Sequence, residues 1–310
     1  MAKPRELRRR IRSIQNTRKI TKTMELVSTS KLKRAQDRVV GARPYARALA
    51  EVLGDLYAPD LAERFPLLRQ PAADGTKRVG LVLITSNRGL CGAFNANLIR
   101  EARRRMQELE GQGVSIDLHL VGKKGISYFK FTKRAVASQR TDIGDKPTAA
   151  HAAELVAPLM AQFQAGTLDA VEVVFAQFKS AVSTPPTTLR ILPVTPPRAD
   201  RRLGGSAVST GADALSAQPP NGLSAYYILK PSADAILESL LPLYVRNQMF
   251  RALVETAAAE HGARRTAMKN ATDSAGDMLD LLRRTYNRAR QAVITQELAE
   301  IVGGAEALKG

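Results

Sequence analysis

Both ends of the chain repeat apolar residues at alternating three- and four-residue steps, for far longer than a compact domain can use. Starting at Leu7, fifteen positions spaced this way reach Leu56, and eleven of them are apolar. A second series starts at Ile236 and reaches Ala299 through nineteen positions, fourteen of them apolar. A period held over so many heptads specifies a coiled coil. At 1.5 Å per residue the first helix alone would reach about 80 Å. Pro4 suits its first turn. Pro44 should bend it locally, Pro242 should start or kink the second helix, and Gly303-Gly304 should end or fray that helix. One helix enters the intervening stretch and the other leaves it, so the simplest way to bury both stripes is an antiparallel two-stranded coil. Its many Ala seam positions bury little area each, at about 25 cal/mol per Å², so surrounding partners are expected to help hold it.

Between the two series the period changes. "RVGLVLIT" (78–85) is a continuous apolar run, the pattern of a strand buried on both faces. "NANLIREARRRMQELEGQG" reads as a helix and "VSIDLHLVG" as a second strand. "TAAHAAELVAPLMAQFQAG" reads as a helix with Thr148 at its N-cap, and "DAVEVVFAQFKS" and "PTTLRILPVT" as strands parted by a Pro-Pro turn. This order predicts an open, Rossmann-like α/β sheet inserted between the helices. Residues 196–222, rich in Gly, Ser, Pro and Ala, read as a flexible loop, and "LSAYYILKP" (223–231) as a last strand. The resulting division is a first coiled-coil helix over 1–57, a linker over 58–77, an α/β domain over 78–230 and a second coiled-coil helix over 231–310.

Catalytic chemistry is hard to find. "TSNRGLCGAFN" (85–95) follows a strand and opens a helix, where α/β proteins bind phosphate, but it lacks both G-x-G-x-x-G and G-x-x-x-x-G-K-[ST]. Gly89 and Gly92 there fit a tight turn better. "VGKKGIS" (121–127) also lacks the upstream Gly of a phosphate loop. His119, His151 and His261 lie far apart, and the single Cys91 reads as a small buried residue that suits a reducing compartment. No cofactor, metal or active site is expected, nor a membrane span or a secretory signal.

Charge is the other extreme feature, with a formal net of +18. Residues 1–40 hold thirteen Lys or Arg against Glu6, Glu25 and Asp37. Such an excess favours an acidic partner: nucleic acid, an acidic membrane or an acidic protein. A basic coiled-coil nucleic-acid binder is therefore a reading to weigh, although it explains neither the inserted sheet nor the far end of the chain. There "VITQELAEIVGGAEAL" (293–308) carries three Glu and no Lys or Arg, so that end is apolar and slightly acidic.

One irregularity stands in the first helix. The four consecutive polar failures of its series are Arg18, Thr21, Glu25 and Ser28, where Ile20, Met24 and Val27 form a neighbouring apolar row. A seam that shifts onto that row is the expectation, leaving Lys19, Lys22 and Lys31 outward. Gly262 and Gly276, two heptads apart and each just after a seam position, should face out from the pair.

The stretches "RRRIRSIQNTRKITKTMELVSTSKLKRAQ" (8–36), "TSNRGLCGAFN", "AMKNATDSAGDML" (267–279) and "YNRARQAVITQELAEIVGGAEAL" (286–308) closely resemble the gamma subunits of F-type ATP synthases. The resemblance implies a non-catalytic central shaft. Its paired helices would stand inside a ring of three alpha and three beta subunits, and its foot on epsilon and the c-ring, peripheral to the cytoplasmic face of a bacterial inner membrane. It assigns Lys19, Lys22, Met24, Arg264, Arg265 and Lys269 to the acidic lever loops of beta. Gln296, Glu297, Ile301 and Val302 fall in the apolar tip held by the bearing of the ring. The chain departs from the family at Asn87, often Asp, and at Gly262, often Ala.

Overall fold

A computed structural model describes residues 4–56, 64–70, 76–181, 183–195 and 233–307. Helix α1 spans Pro4–Leu56, and the last helix, α5, spans Ala233–Ala307. Their 53 and 75 residues correspond to about 80 and 112 Å. Between them lie β1 (Arg78–Ile84), α2 (Phe94–Gly111), β2 (Ser115–Val121), α3 (Lys123–Phe131), β3 (Ser138–Arg140), α4 (Ala149–Gln164), β4 (Ala170–Ala176) and β5 (Pro186–Leu192).

The sheet runs β3-β2-β1-β4-β5. β1 is central and parallel to both neighbours, with Leu81 between Leu118 of β2 and Glu172 of β4. Among the described strands only β5 runs antiparallel. The apolar run at β1 has the expected cause: six of its seven residues are buried, because helices cover both faces. On one face α4 and the lower parts of α1 and α5 enclose Val82, Ile84, Val171 and Val173. On the other, α2 and α3 pack over Leu81, Leu83, Leu118 and Leu120. Glu172 is buried within the sheet, where Arg105 holds it bidentately at 2.6 and 2.7 Å and Arg190 at 3.2 Å. Those guanidinium groups outweigh burial and keep the carboxyl below its ordinary range.

The element order matches the expectation, with β3 added. At three residues it is too short to leave a period in the sequence. The expected strand at 223–231 and loop at 196–222 lie outside the described residues. Neither interior proline ends its helix, and the expected stop at Gly303-Gly304 does not occur. α1 passes through Pro44 and α5 through Pro242, and α5 also continues past Gly303 and Gly304 to Ala307. An interior Pro costs about 3 kcal/mol. Burial of Leu237, Leu241, Tyr244 and Val245 on either side of Pro242 offsets it, since each large apolar side chain contributes roughly 2 kcal/mol.

Candidate functional site

The helix pair fixes the geometry. Thr272 Oγ1 lies 2.7 Å from Thr21 Oγ1, one hydroxyl donating to the other across the seam. A Cβ on Gly276 would stand 3.7 Å from the Arg18 guanidinium. The helices are therefore antiparallel, in a register that sets the start of α1 opposite the region of Ala289. Below that point Leu7, Leu32, Ala35, Val39, Leu49 and Leu53 of α1 are buried, as the heptad reading requires. On α5 the seam uses Met268, Thr272 and Leu279, while Met278 is 53% exposed. The sequence reading took 271, 278 and 285. A three-four alternation and a four-three alternation place adjacent residues on the seam, and the polar Thr272 disguised the correct one.

The seam does not shift in the polar stretch. Thr21 and Ser28 stay buried in it, while Ile20 and Val27 turn outward with 60% and 51% of their surface exposed. The row Ile20, Met24, Val27 is a surface stripe, with Met24 half-buried at its centre. The polar seam survives because local acceptors satisfy it: Thr21 Oγ1 donates to Arg18 O at 3.1 Å and Ser28 Oγ to Met24 O at 2.7 Å. Gly276 faces α1, and Gly262 faces the carbonyl of Ala181, which a Cβ would meet at 3.1 Å. Both glycines thus permit close approach within the chain; Gly276 does so towards α1, contrary to the expectation that it faces out from the pair, and Gly262 towards the sheet domain.

Around the stripe, Lys19, Lys22 and Lys269 are exposed and Arg265 is half-buried; Lys22 pairs with Glu25 at 3.2 Å. Lys31 is not free, because it binds Asp145 at 2.5 Å. Arg264 does not share that exposure. It is 8% exposed and turned inward, with Nη2 donating to Glu260 Oε1 at 2.6 Å and to Gly89 O at 3.3 Å. At the other extreme, every residue from Arg290 through Gly304 is exposed. Here α5 has outrun α1 and projects as a single helix bearing Val293, Ile294, Leu298, Ile301 and Val302. Glu297 is also exposed, and Gln296 donates to Glu300 at 2.9 Å.

Sequence reading missed the clamp that fastens this rod to the sheet. Glu255 accepts from Phe178 N at 3.2 Å, Lys31 and Arg264 make the bonds above, and His261 Nε2 lies 3.8 Å from Asp145. Burial holds the His261 imidazole neutral, with its pKa lowered to about 4, although Asp145 pulls the other way. Burial likewise pushes the Glu260 carboxyl up against the opposing pull of Arg264. On α5, His261 and Arg264 fall on the apolar series itself, as two of its five polar positions, and Glu255 and Glu260 one step off it.

The clamp borders the place where open α/β sheets take ligands, a crevice of about 590 Å³ at the carboxyl ends of the parallel strands, with Asp145 and Glu260 in its wall. The α3 N-terminus there is already occupied. Lys123 N donates to Asn87 Oδ1 at 3.0 Å, Lys124 N to Ser86 O at 3.1 Å and Gly125 N to Thr85 Oγ1 at 3.0 Å. No amide of that turn is left to cradle a phosphate. Gly122 has φ +96°, and a Cβ on it would meet Thr85 O at 2.1 Å. In the preceding loop Leu90 and Gly92 both have positive φ, at 61° and 59°, which accords with a tight turn. Cys91 is buried in that loop and accepts from Asn95 Nδ2 at 3.1 Å.

Comparison with known proteins gives one answer along the whole chain. The family model described as ATP synthase matches residues 3–308. A relative named ATP synthase gamma chain, from Gemmatimonas aurantiaca, is 59% identical over 310 residues and covers 100% of both chains. Another of that name, from Leptospira biflexa, is 42% identical and covers 99% of this chain and 100% of its own. Among solved structures, a chain of the Euglena gracilis mitochondrial ATP synthase rotor has a TM-score of 0.61 at 20% identity, covering 94% of this chain and 98% of that one. A chain of the Tetrahymena thermophila mitochondrial central stalk and c-ring has a TM-score of 0.57 at 24% identity, covering 81% and 99%. The structural likenesses bear on the fold. Nothing among these findings supports the nucleic-acid reading.

Proposed function

The chain belongs to the gamma-chain family of ATP synthase, and from that premise we propose that it is the central rotary shaft of an F-type ATP synthase. It couples proton-driven rotation of the c-ring to ATP synthesis or hydrolysis at the beta subunits and is itself non-catalytic. The observation that carries this reading is the mismatch in helix length: a two-stranded shank, a single apolar tip beyond Ala289, and a domain hung on one side. Such a rod is eccentric. Each angle turns a different face to a surrounding ring, so angle and subunit conformation share a coupling free energy.

Its partners are three alpha and three beta subunits around the shank, with epsilon and the c-ring at the foot. Lys19, Lys22, Met24, Arg265 and Lys269 meet the acidic loops of beta. Gln296, Glu297, Ile301 and Val302 turn within the apolar bearing. Arg264 is withdrawn from the contact set, because its guanidinium is already engaged by Glu260 and Gly89. Residues 1–57 and 231–310 form the shank, and 78–230, joined through 58–77, the lateral domain. The subunit is peripheral to the membrane, at the cytoplasmic face of a bacterial inner membrane.

Tagged protein purified from its native cells should bring alpha and beta subunits in a complex that hydrolyses ATP; recovery without them refutes the proposal. Met24→Lys places a fourth cation in the row of Lys19, Lys22 and Lys31. In reconstituted vesicles it should lower proton pumping per ATP hydrolysed, and unchanged pumping would remove Met24 from the contact.

A further inference from the structure

Besides the crevice at the strand ends, a second concavity of about 760 Å³ opens between α1, β5 and α5. Its size is ordinary for a small-molecule site. Its charge is not: among the described residues Arg43, Arg47, Arg190 and Arg251 line it against one carboxylate, that of Glu255. The arginines come from three elements and surround one volume. Arg190 and Arg251 are held in place, by Glu172 at 3.2 Å and by Glu255 at 2.8 Å. The Arg251–Glu255 pair uses Nε, which leaves the terminal guanidinium nitrogens to the groove. Arg43 and Arg47 are exposed, one turn apart on α1, and have no carboxylate within ion-pair distance among the described residues.

The floor between them is apolar and shallow, with Ala42, Ala46 and Ala50 on α1 and Ile191 on β5. Gln248 lines the same groove, its side chain against the Tyr244 hydroxyl, and its Oε1 is buried and accepts no hydrogen bond among the described residues. Such a group costs about 1–3 kcal/mol and gains by swinging out to a donor.

We propose that this groove binds an oligophosphate, either inorganic or as the tail of a nucleotide. Guanidinium forks take phosphate oxygens bidentately. A compact polyanion also reaches arginines that converge from three sides, whereas an acidic helix lying along α1 meets one row of them. A nucleotide would add a base over the alanine floor and an amino donor for Gln248. The site is independent of the shaft reading, because it is built within this chain and stands apart from both the outward stripe on α1 and the α5 tip.

The test is calorimetric titration of the purified full chain with tripolyphosphate, ADP and ATP at low and moderate salt. The expected result is saturable binding of one ligand per chain, weakened at least tenfold in Arg43→Gln/Arg47→Gln. The equally basic pair Arg8→Gln/Arg12→Gln should change it less than twofold. Circular dichroism checks that both variants stay folded. ATP binding tighter than tripolyphosphate, with the difference lost in Gln248→Leu, assigns a nucleotide; equal binding, unchanged in that variant, assigns inorganic oligophosphate. Absence of saturable binding, equal loss in both arginine pairs, or displacement of the phosphate by an oligoglutamate peptide of equal charge overturns the proposal.

Discussion

His261 makes the stability of the rod-to-sheet junction depend on pH. Its side chain is 3% exposed, and Arg264 Nη1 donates to Nδ1 at 3.4 Å, which leaves the hydrogen on Nε2, facing Asp145. Besides Asp145, the charges that bear on the ring are Arg264, Lys31 and Arg88, all cationic. Burial and those cations lower its pKa from 6.5 to about 4. Between those values the unfolded chain binds the extra proton and the folded chain does not, so stability rises with pH. The contribution is fully present above about pH 6.5 and is lost as pH falls towards 4. A displacement of that size corresponds to roughly 3 kcal/mol, and most of it should be gone by about pH 4.5. The assay is urea unfolding of wild type and His261→Gln at intervals from pH 7.5 to 4.5. Other groups titrate in both proteins, so the difference between their curves isolates the imidazole. Wild type should lose about 2–3 kcal/mol more than the variant over that range. Parallel curves would show that the ring charges in place, and the account of the clamp would be wrong.

Three further outcomes follow from particular contacts. Thr21→Val and Thr272→Val should each cost about 1 kcal/mol, and the double variant less than the sum, because it removes both hydroxyls of one pair; thermal unfolding of the four proteins measures the coupling, and strict additivity denies the bond. Asn87→Asp should cost about 1–3 kcal/mol near neutral pH, since Asn87 Nδ2 donates to Thr141 O at 3.1 Å and Ile143 O at 2.9 Å and a carboxylate would face both carbonyls; an unchanged urea midpoint refutes this. Deleting residues 291–310 should leave stability of the chain within about 0.5 kcal/mol, because the side chains from Arg290 through Gly304 are exposed, yet it should lower ATP-driven proton pumping in the assembled enzyme; a large drop in melting temperature would mean the tip packs on the shank.

The sequence by itself determined that two long helices pair and that an open α/β sheet lies between them. Both facts rest on periodicity: burying one face of a helix or two faces of a strand demands apolar residues at fixed intervals, whatever the partner. It also determined the apolar, acidic character of the last turns, which is composition alone. The tertiary structure decided what adjacent residues cannot reveal. Whether Thr272 or Ala271 meets α1, and whether Ile20 or Thr21 does, depends on a rotation of about 100° per residue. That rotation is set by the sum of contacts along both helices. Polar residues won seam positions because local carbonyls satisfy them, and apolar ones were left outside. Arg264 shows the same limit from the other side. It is a polar position on the α5 series that does not announce its partners, Glu260 one turn away and Gly89, 175 residues earlier in the chain. Long-range juxtaposition of that kind leaves no local period to read.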